Sequence, residues 1–319
     1  MMLLLLIHRP IPFDHDSVSS SIPVLYAMLI PISLVIPSYN RAHLIAETLD
    51  SALAQTTPFA EIIVIDDGST DNTCDIVERY AGRVRLIRSA NSGVQSARNK
   101  GVAAAVTDYV TLCDSDDLLE PDFVTTMVNW LASHDDIDVV YVNIRRFRAG
   151  EIEPDHLSLG PAGFLEGATS SGDFYCDIPE LYLRLITLHY LYPTGCTLKK
   201  SFFDAIGGFD TQFNRVGAED GEFTLRAAAS GHVAVSKRPL AHIRRHEGND
   251  SADTLYMAVG SAQILEYASN HHRNVRQYVP QLRDMVSQLR LQAGNEAYTK
   301  STLILHGRCL TMRTRGQWA

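Results

Sequence analysis

Short apolar runs alternate with amphipathic stretches over the first half of the chain. The apolar runs predict buried strands, since parallel strands covered on both faces are nearly continuous in apolar residues. The amphipathic stretches predict helices, since their apolar residues recur every three or four positions. This alternation predicts an α/β fold with a doubly wound, mainly parallel central sheet and helices on both faces. The predicted strands are 32–36, 61–65, 84–87, 109–112 and 138–144, and the predicted helices are 44–53, 70–81, 93–105 and one that begins near Pro121.

The pattern is less regular in the second half of the chain. Glycine, proline, serine and aspartate accumulate between residues 147 and 178, which predicts a loop-rich insertion. A helix is predicted after the acidic pair Glu219-Asp220, followed by a strand at 232–235 and a polar loop at 242–249. Two amphipathic helices, at about 253–269 and 276–292, end the predicted fold.

The first 27 residues show no core pattern. Met1–Ile7 is apolar, but seven residues are too few to span a bilayer, which needs about 20. Residues 8–21 mix proline, serine and aspartate and are typical of a disordered segment. We therefore expect residues 1–27 to lie outside the fold, with Met28 as a candidate start of translation.

Composition narrows the class of protein. With 319 residues, 45% of them hydrophobic, the chain is long enough for one large domain or two small ones. The net charge of −9 and the lack of a basic run argue against nucleic acid as a partner. The five cysteines are odd in number and form no C-x-x-C motif, which favours reduced thiols in a cytoplasmic protein over a disulfide framework or a zinc site.

Polar clusters follow three of the predicted strands. They are Ser38-Tyr39-Asn40, Asp66-Asp67 and the run from Asp114 to Asp117. Ligands bind at the carboxyl ends of strands in such sheets, so the three clusters predict one nucleotide site. The closely spaced carboxylates of the last cluster repel one another unless a cation lies between them, and they suit Mg²⁺ or Mn²⁺. The alternative is a solvated acidic turn that caps the next helix.

Two common nucleotide-binding motifs are missing from the sequence. No G-x-G-x-x-G follows the first strand, and no P-loop motif occurs. Six other motifs resemble those of family 2, the inverting, nucleotide-sugar-dependent glycosyltransferases with a GT-A fold. In chain order they are Val35–Asn40, Ile63–Asp71, Gly93–Asn99, Asp114–Asp117, Gly207–Asp210 and Glu219-Asp220. The resemblance extends over roughly 31–250 and implies a nucleotide-binding half at 28–145, an acceptor-binding half at 146–250 and a C-terminal helical extension at 251–319.

The resemblance implies a set of residues that bind the nucleotide-sugar. Asp67, together with Asp66, would accept a hydrogen bond from the uracil ring, which favours a UDP-sugar. The alternative for this pair is a capped turn, since turns use the same residues. The alternative for Arg98, expected near the diphosphate, is a solvated helix charge. The full set is Pro37, Tyr39, Asn40, Arg41, Asp66, Asp67, Arg98, Asp114 and Ser115.

The resemblance also implies a metal site and a catalytic base. Asp116 or Asp117, with His246, would hold Mn²⁺ or Mg²⁺, which neutralises charge on the departing UDP. Asp220 would take the proton from the acceptor hydroxyl, with Glu219 as the less favoured base. The alternative for both acids is a helix N-terminal charge favoured by the helix dipole.

The sequence thus predicts a metal-dependent, inverting glycosyltransferase of polysaccharide biosynthesis. The acceptor would be a hydroxyl of a glycan, a lipid-linked sugar or a protein, and the location would be cytoplasmic, with peripheral association at the inner face of the membrane as an option. The rival hypothesis is a nucleotide-sugar-binding module without turnover. A sugar nucleotidyltransferase is disfavoured, since its glycine-rich loop is missing between Pro37 and Leu44.

Overall fold

The computed structural model describes residues 30–161, 163–188, 191–246 and 252–314, with side chains up to residue 299. The prediction about residues 1–27 therefore lies outside the described residues. Within them, the four cysteines whose side chains are described are free thiols. No helix in this part of the chain is both long enough and apolar enough to cross a membrane.

A single mixed sheet forms the centre of the described structure. Its strand order is β3-β2-β1-β4-β10-β6-β11-β9-β8, with β5 paired to β11 and β7 paired to β6. Strands β1 to β4 are parallel, as predicted. The strands are β1 (Ile32–Ser38), β2 (Glu61–Asp66), β3 (Arg85–Arg88), β4 (Tyr109–Leu112), β5 (Leu118–Leu119), β6 (Val139–Arg148), β7 (Glu151–Ile152), β8 (Thr169–Ser171), β9 (Phe174–Cys176), β10 (Thr197–Lys199) and β11 (Val233–Arg244).

Helices cover both faces of the sheet. Side chains alternate along each strand, so Leu34 of β1 joins the core on one face and Val35 joins the core on the other. The helices are α1 (Ile45–Leu53), α2 (Thr73–Glu78), α3 (Val94–Ala104), α4 (Phe123–Leu131), α5 (Leu181–Thr187), α6 (Lys200–Ile206), α7 (Asp220–Ser230), α8 (Thr254–His271) and α9 (Val279–Thr314). The first core includes residues of α1 and α4, and the second includes residues of α3 and α7.

The sheet differs from the uninterrupted parallel order that the strand–helix alternation predicts. Strand β10 lies antiparallel between β4 and β6, so the sheet is mixed, although most of its long pairings are parallel. A three-residue strand is too short to show a period of two in sequence, and for this reason the pattern gave no sign of it.

Strand β11 is much longer than the predicted strand at 232–235. It continues to Arg244 with irregular register between Val235, Pro239 and Ala241. The predicted polar loop at 242–249 therefore begins as strand. The charged residues Lys237 and Arg238 interrupt the apolar pattern at the irregularity, which concealed the continuation in sequence.

The C-terminal helices pack on the rest of the fold. Helix α8 agrees with its prediction, whereas α9 extends well beyond the predicted 276–292. Gly260 of α8 lies so close to Gly217 that an added Cβ would overlap the Gly217 carbonyl oxygen. Because Gly217 precedes the pair Glu219-Asp220 by two residues, α8 supports the segment that leads into α7.

Two glycine substitutions test this close approach. Alanine is more favourable than glycine in a helix by about 1 kcal/mol, so Gly294→Ala in α9, where a Cβ meets no atom within 4 Å, should raise the free energy of unfolding. Gly260→Ala should instead lower it by about 1–3 kcal/mol, because the new methyl group overlaps backbone. Urea denaturation measures both. If Gly260→Ala stabilises the protein as much as Gly294→Ala does, the contact between α8 and Gly217 is not tight.

Candidate functional site

The turns after β1 and β2 are fastened to each other. Asn40 has a positive φ of 52°, and its Oδ1 accepts a hydrogen bond of 2.8 Å from the amide of Thr70. Its own amide donates to the hydroxyl of Ser69 over 2.9 Å. Pro37 is buried within β1, whereas the ring of Tyr39 is 45% exposed at the edge of the sheet. Asn40 therefore shapes the turn, and Tyr39 provides an exposed aromatic surface beside it.

Both aspartates after β2 accept hydrogen bonds from nearby loops. Asp67 Oδ2 accepts from the amide of Gly93 over 2.7 Å, and Asp67 Oδ1 accepts from the amide of Ser92 over 2.9 Å. Asp66 accepts from the amide of Ser69 over 3.1 Å. Both side chains are buried, and Asp66 closes a turn at the amide of Ser69, but the residue that precedes α2 forms no side-chain hydrogen bond that caps this helix. Asp67 also holds the loop before α3 against the end of β2.

Arg98 is the most deeply buried charge of the candidate site. The residue is 2% exposed, which rules out the solvated helix charge that was its alternative interpretation. Its guanidinium donates to Asp114 Oδ1 over 2.8 Å, and its Nη1 lies 3.6 Å from Glu219 Oε1. Burial alone would lower the pKa of Arg98, but the charges of Asp114, Glu219 and Asp220 outweigh it and raise that pKa. The guanidinium also lies over the ring of Phe209, 5.4 Å from its centre.

Asp116 brings together residues from three parts of the chain. Its Oδ2 lies 3.3 Å from Nε of Arg41 and 3.0 Å from Nε2 of His246. Arg41 follows β1 and His246 follows β11, so both elements end at the carboxyl edge of β4. The structure thus places two residues of the predicted metal site, Asp116 and His246, within hydrogen-bond distance of each other.

Asp117 has a different environment from Asp116. The hydroxyl of Thr194 donates to Asp117 Oδ2 over 2.6 Å, and the amide of Arg244 donates to Oδ1 over 2.9 Å. Burial, together with the charges of Asp116 and Asp114, raises the pKa of Asp117 well above its ordinary value. Because both of its oxygens accept hydrogen bonds from the protein, Asp117 fastens the acidic cluster to its surroundings. Asp116 is the better placed of the two to bind a cation.

The side chains of Asp116 and His246 offer ligand atoms that suit a cation which also contacts a substrate. A carboxylate and an imidazole suit Mn²⁺, and Mg²⁺ or Mn²⁺ sites often use few protein ligands and complete their shell with waters and phosphates. Among the residues described, no group of three or more His, Cys, Asp or Glu side chains forms a complete metal cage. Asp116 and His246 could therefore hold a cation together with a diphosphate.

The acidic pair lies where α7 begins. Asp220 is the first residue of the helix, and Glu219 directly precedes it. The side-chain amide of Gln95 donates to the Glu219 carbonyl over 2.7 Å, which ties the pair to α3. Burial and the charge of Asp220 raise the pKa of Glu219 to about 7, although Arg98 opposes this shift. A carboxyl group with a pKa near neutrality is suited to proton transfer.

Sequence reasoning missed several residues that support the site. Asn214 accepts from the amide of Gln95 over 2.9 Å and so caps the start of α3. Thr194 bridges the amide of Asp114 and the carboxylate of Asp117. Thr194 lies in the turn Pro193-Thr194-Gly195, where Gly195 has a φ of +81° and packs against Val142. Proline and glycine are typical of a turn, but they give no sign that the threonine between them contacts the acidic cluster.

Several known proteins are similar to this chain in fold or in sequence. The structure is similar to residues 1–349 of S. aureus TarS in complex with UDP-GlcNAc, with a TM-score of 0.58 and 22% identity over 82% of this chain and 71% of that fragment. It is also similar to the mannosyltransferase PcManGT of Pyrobaculum calidifontis in complex with GDP-Man and Mn²⁺, with a TM-score of 0.54 and 18% identity over 94% of this chain and 92% of that one. These matches define the fold class as GT-A.

The family follows from sequence. The profile of Glycosyl transferase family 2 matches residues 33–206, which is more than half of the chain, so the chain belongs to glycosyltransferase family 2. It is 35% identical over 227 residues to an uncharacterized glycosyltransferase of Nostoc sp., covering 69% of this chain and 66% of that relative. It is also 35% identical over 144 residues to the hyaluronan synthase of Pasteurella multocida, covering 41% of this chain and 15% of the synthase.

The raised pKa of Glu219 predicts a pH-dependent stability. Glu219 ionises near 4.5 when unfolded but near 7 when folded, so between these values the unfolded state binds fewer protons. The contribution of Glu219 to stability therefore falls as the pH rises from about 4.5 to about 7. Glu219→Gln cannot ionise, and we expect its stability relative to wild type to increase over this range. Urea denaturation of both proteins across the range measures the difference, and a difference that is constant with pH would contradict the assignment.

Proposed function

We propose that the protein is a metal-dependent, inverting glycosyltransferase that uses a UDP-sugar. The observation that carries the proposal is the placement of Arg98, which joins the carboxylate at the end of β4 to the acidic pair at the start of α7. A donor bound at Asp114 would therefore lie beside a pair of acids that can accept a proton. The family assignment and the nucleotide-sugars bound to structures of similar fold support this proposal.

The donor would lie along the carboxyl edge of β1, β2 and β4. Tyr39 offers an exposed ring to the base, and Asp67 has its carboxylate at the adjacent strand end. TarS in complex with UDP-GlcNAc and with UDP has a similar fold, which supports a uridine nucleotide here. Asp114 would contact the ribose or the sugar, and Asp116 with His246 would hold the cation beside the diphosphate. A divalent cation bound there would neutralise negative charge on the leaving diphosphate.

Asp220 would act as the base in a single displacement. The acceptor hydroxyl gives its proton to the Asp220 carboxylate while its oxygen forms a bond to the anomeric carbon. The bond from that carbon to the diphosphate oxygen breaks on the opposite face, so the configuration inverts and UDP leaves. Glu219 lies next to Asp220, and burial together with the charge of Asp220 raises the pKa of Glu219 to about 7. Arg98 fixes Glu219 and thereby orients the start of the helix.

The alternative is a protein that binds nucleotide-sugars without turnover. The adjacent acids Glu219 and Asp220, the first of which is held near Asp114 through Arg98, favour an enzyme instead, since a binding module needs no proton acceptor there. A panel of UDP- and GDP-sugars with Mn²⁺ tests the choice. Thermal shift reports binding, because a ligand that binds only the folded state stabilises it. UDP release on addition of acceptor mixtures reports turnover.

The cation site can be tested by calorimetry. UDP should bind more tightly with Mn²⁺ than with a chelator, and Asp116→Ala should remove most of this difference, because Asp116 is the proposed metal ligand. Asp108→Ala is the matched control, since Asp108 is exposed and precedes β4, at its opposite end. Equal UDP affinity of the wild type with and without metal would refute the metal dependence.

The base can be tested by two amide substitutions. Asp220→Asn keeps the shape of the side chain but removes its basicity, and general-base catalysis contributes typically about 10²–10⁴-fold. We expect kcat to fall by a factor in that range, while the Kd of UDP with Mn²⁺ changes by less than about threefold. Glu219→Gln should have a milder effect on kcat. If instead Glu219→Gln abolishes transfer and Asp220→Asn does not, Glu219 is the base.

A further inference from the structure

Arg146, beside the candidate site, differs from three arginines at the carboxyl edge of the sheet that form ion pairs. Arg41, Arg98 and Arg244 each lie within 4 Å of a carboxylate, with distances of 3.3 Å, 2.8 Å and 2.6 Å. Arg146, near the end of β6, forms no ion pair with any residue in the part of the chain that the structure describes. A partly buried guanidinium without an anion has lost hydration that no opposite charge replaces.

Arg146 is nevertheless held in place. Its Nη2 donates to the hydroxyl of Tyr192 over 2.9 Å, and its guanidinium lies 6.0 Å from the centre of the Tyr192 ring. The same hydroxyl lies 3.3 Å from Nε2 of His156. The amide of His156 in turn donates to the carbonyl of Ile144 over 2.8 Å, which ties this support to β6 itself. The guanidinium is therefore pre-positioned by groups that do not neutralise its charge.

The loop that carries His156 is also fixed. The side-chain amide of Asn143 donates to Asp155 Oδ1 over 2.7 Å, and Asp155 accepts from the amide of Ser158 over 3.0 Å. The Asn143 side-chain oxygen accepts from the amide of Leu157 over 3.1 Å. These bonds hold the segment 155–158 against β6. Because Asp155 is used inside this network, it does not serve as a counter-ion for Arg146.

The position of Arg146 indicates the acceptor side of the site. Strand β10 separates β6 from β4, so Arg146 lies on a strand two positions across the sheet from β4. It lies on the side away from β1 and β2, where the nucleotide would bind. Its partner Tyr192 lies two residues before Thr194, whose hydroxyl donates to Asp117 in the acidic cluster. Burial raises the pKa of Tyr192, Arg146 lowers it, and the charge of Asp220 raises it further, which agrees with this placement. Arg146 is thus tied through Tyr192 to the segment that contacts the acidic cluster, on the side away from the nucleobase edge.

From this geometry we propose that the acceptor carries a negatively charged group, a phosphate or a carboxylate, and that Arg146 binds it. The inference rests on the proposed glycosyl transfer and specifies its acceptor class. A guanidinium matches both anions, since its planar N–H groups can donate two parallel hydrogen bonds. Binding the anion at Arg146 would set which neighbouring hydroxyl reaches Asp220, so Arg146 determines specificity and does not take part in the proton transfer.

The kinetic test compares acceptors that differ only in charge. Glycerol or sugar acceptors are supplied in neutral, phosphorylated and uronic-acid forms, with the donor identified by the nucleotide-sugar panel. We expect charged acceptors to be preferred and Arg146→Gln to lower their kcat/KM by about 10- to 100-fold, mainly through KM. Arg146→Lys, which keeps the charge but not the planar group, should lose less. The charged acceptor whose kcat/KM falls more in Arg146→Gln shows whether the site recognises phosphate or carboxylate.

Arg148→Gln is the matched control. Arg148 is exposed, lies two residues further along β6 and precedes the turn to β7, so its loss should change kcat/KM by less than about twofold. The Kd of UDP with Mn²⁺ should be the same in wild type, Arg146→Gln and Arg148→Gln. If Arg146→Gln weakens UDP binding, the guanidinium belongs to the donor site and the inference is wrong. It is also wrong if neutral acceptors are preferred, or if charged and neutral acceptors lose activity equally.

A binding measurement decides the inference even if no acceptor in the panel is glycosylated. Inorganic phosphate and glucuronate are titrated into the protein saturated with UDP and Mn²⁺, so that donor phosphate sites are already filled. Thermal stabilisation of the wild type and of Arg148→Gln, but not of Arg146→Gln, supports the anion site independently of transfer. No stabilisation of the wild type by either anion contradicts it. Absence of UDP binding in the wild type would refute the proposed function, and the same titration without UDP would then test Arg146.

Discussion

The buried charge of Arg98 is the constraint on which the rest of the site depends. A guanidinium that is 2% exposed is tolerated only if negative groups surround it, and Asp114 and Glu219 supply them. The two acids are themselves close enough for Asp114 to raise the pKa of Glu219. Arg98 therefore permits carboxylates from the β4 edge and from the start of α7 to share one space. Without this cation, the carboxylates of Asp114 and Glu219 would lie close together with no opposite charge between them.

A second set of contacts extends this arrangement to the other side of β4. Asp117 accepts hydrogen bonds from Thr194 and from the amide of Arg244, so the turn before β10 and the end of β11 are both fixed to the acidic cluster. Asp116, one residue earlier, is then directed toward Arg41 and His246. Both aspartates are buried, but Asp117 accepts from two internal donors whereas Asp116 faces Arg41 and His246, so the adjacent side chains have separate tasks.

Much of the fold was predictable because apolar residues recur at regular spacings in the first half of the chain. Alternating apolar runs predicted the parallel strands and the helix α3, and their topology brought Asp67, Asp114 and Asp116 to one edge. The second half was less predictable for physical reasons. Strand β10 is too short for a period, and the partners of Asp117 lie 77 and 127 residues away, so no local pattern reveals them. The support of Arg146 by Tyr192, 46 residues away, was hidden in the same way.

The close packing of α8 on Gly217 limits where segments can be exchanged between two related chains. A chimaera that joins two such chains at residue 250 would separate Gly260 from the backbone with which it is in contact. The buried pair of His272 and Glu222, 3.1 Å apart, would be divided at the same junction, although Glu222 would keep its ion pair with Arg226. The smallest exchangeable unit therefore extends past α8 to His272, and the C-terminal helix pair should be inherited together with the residues around Asp220.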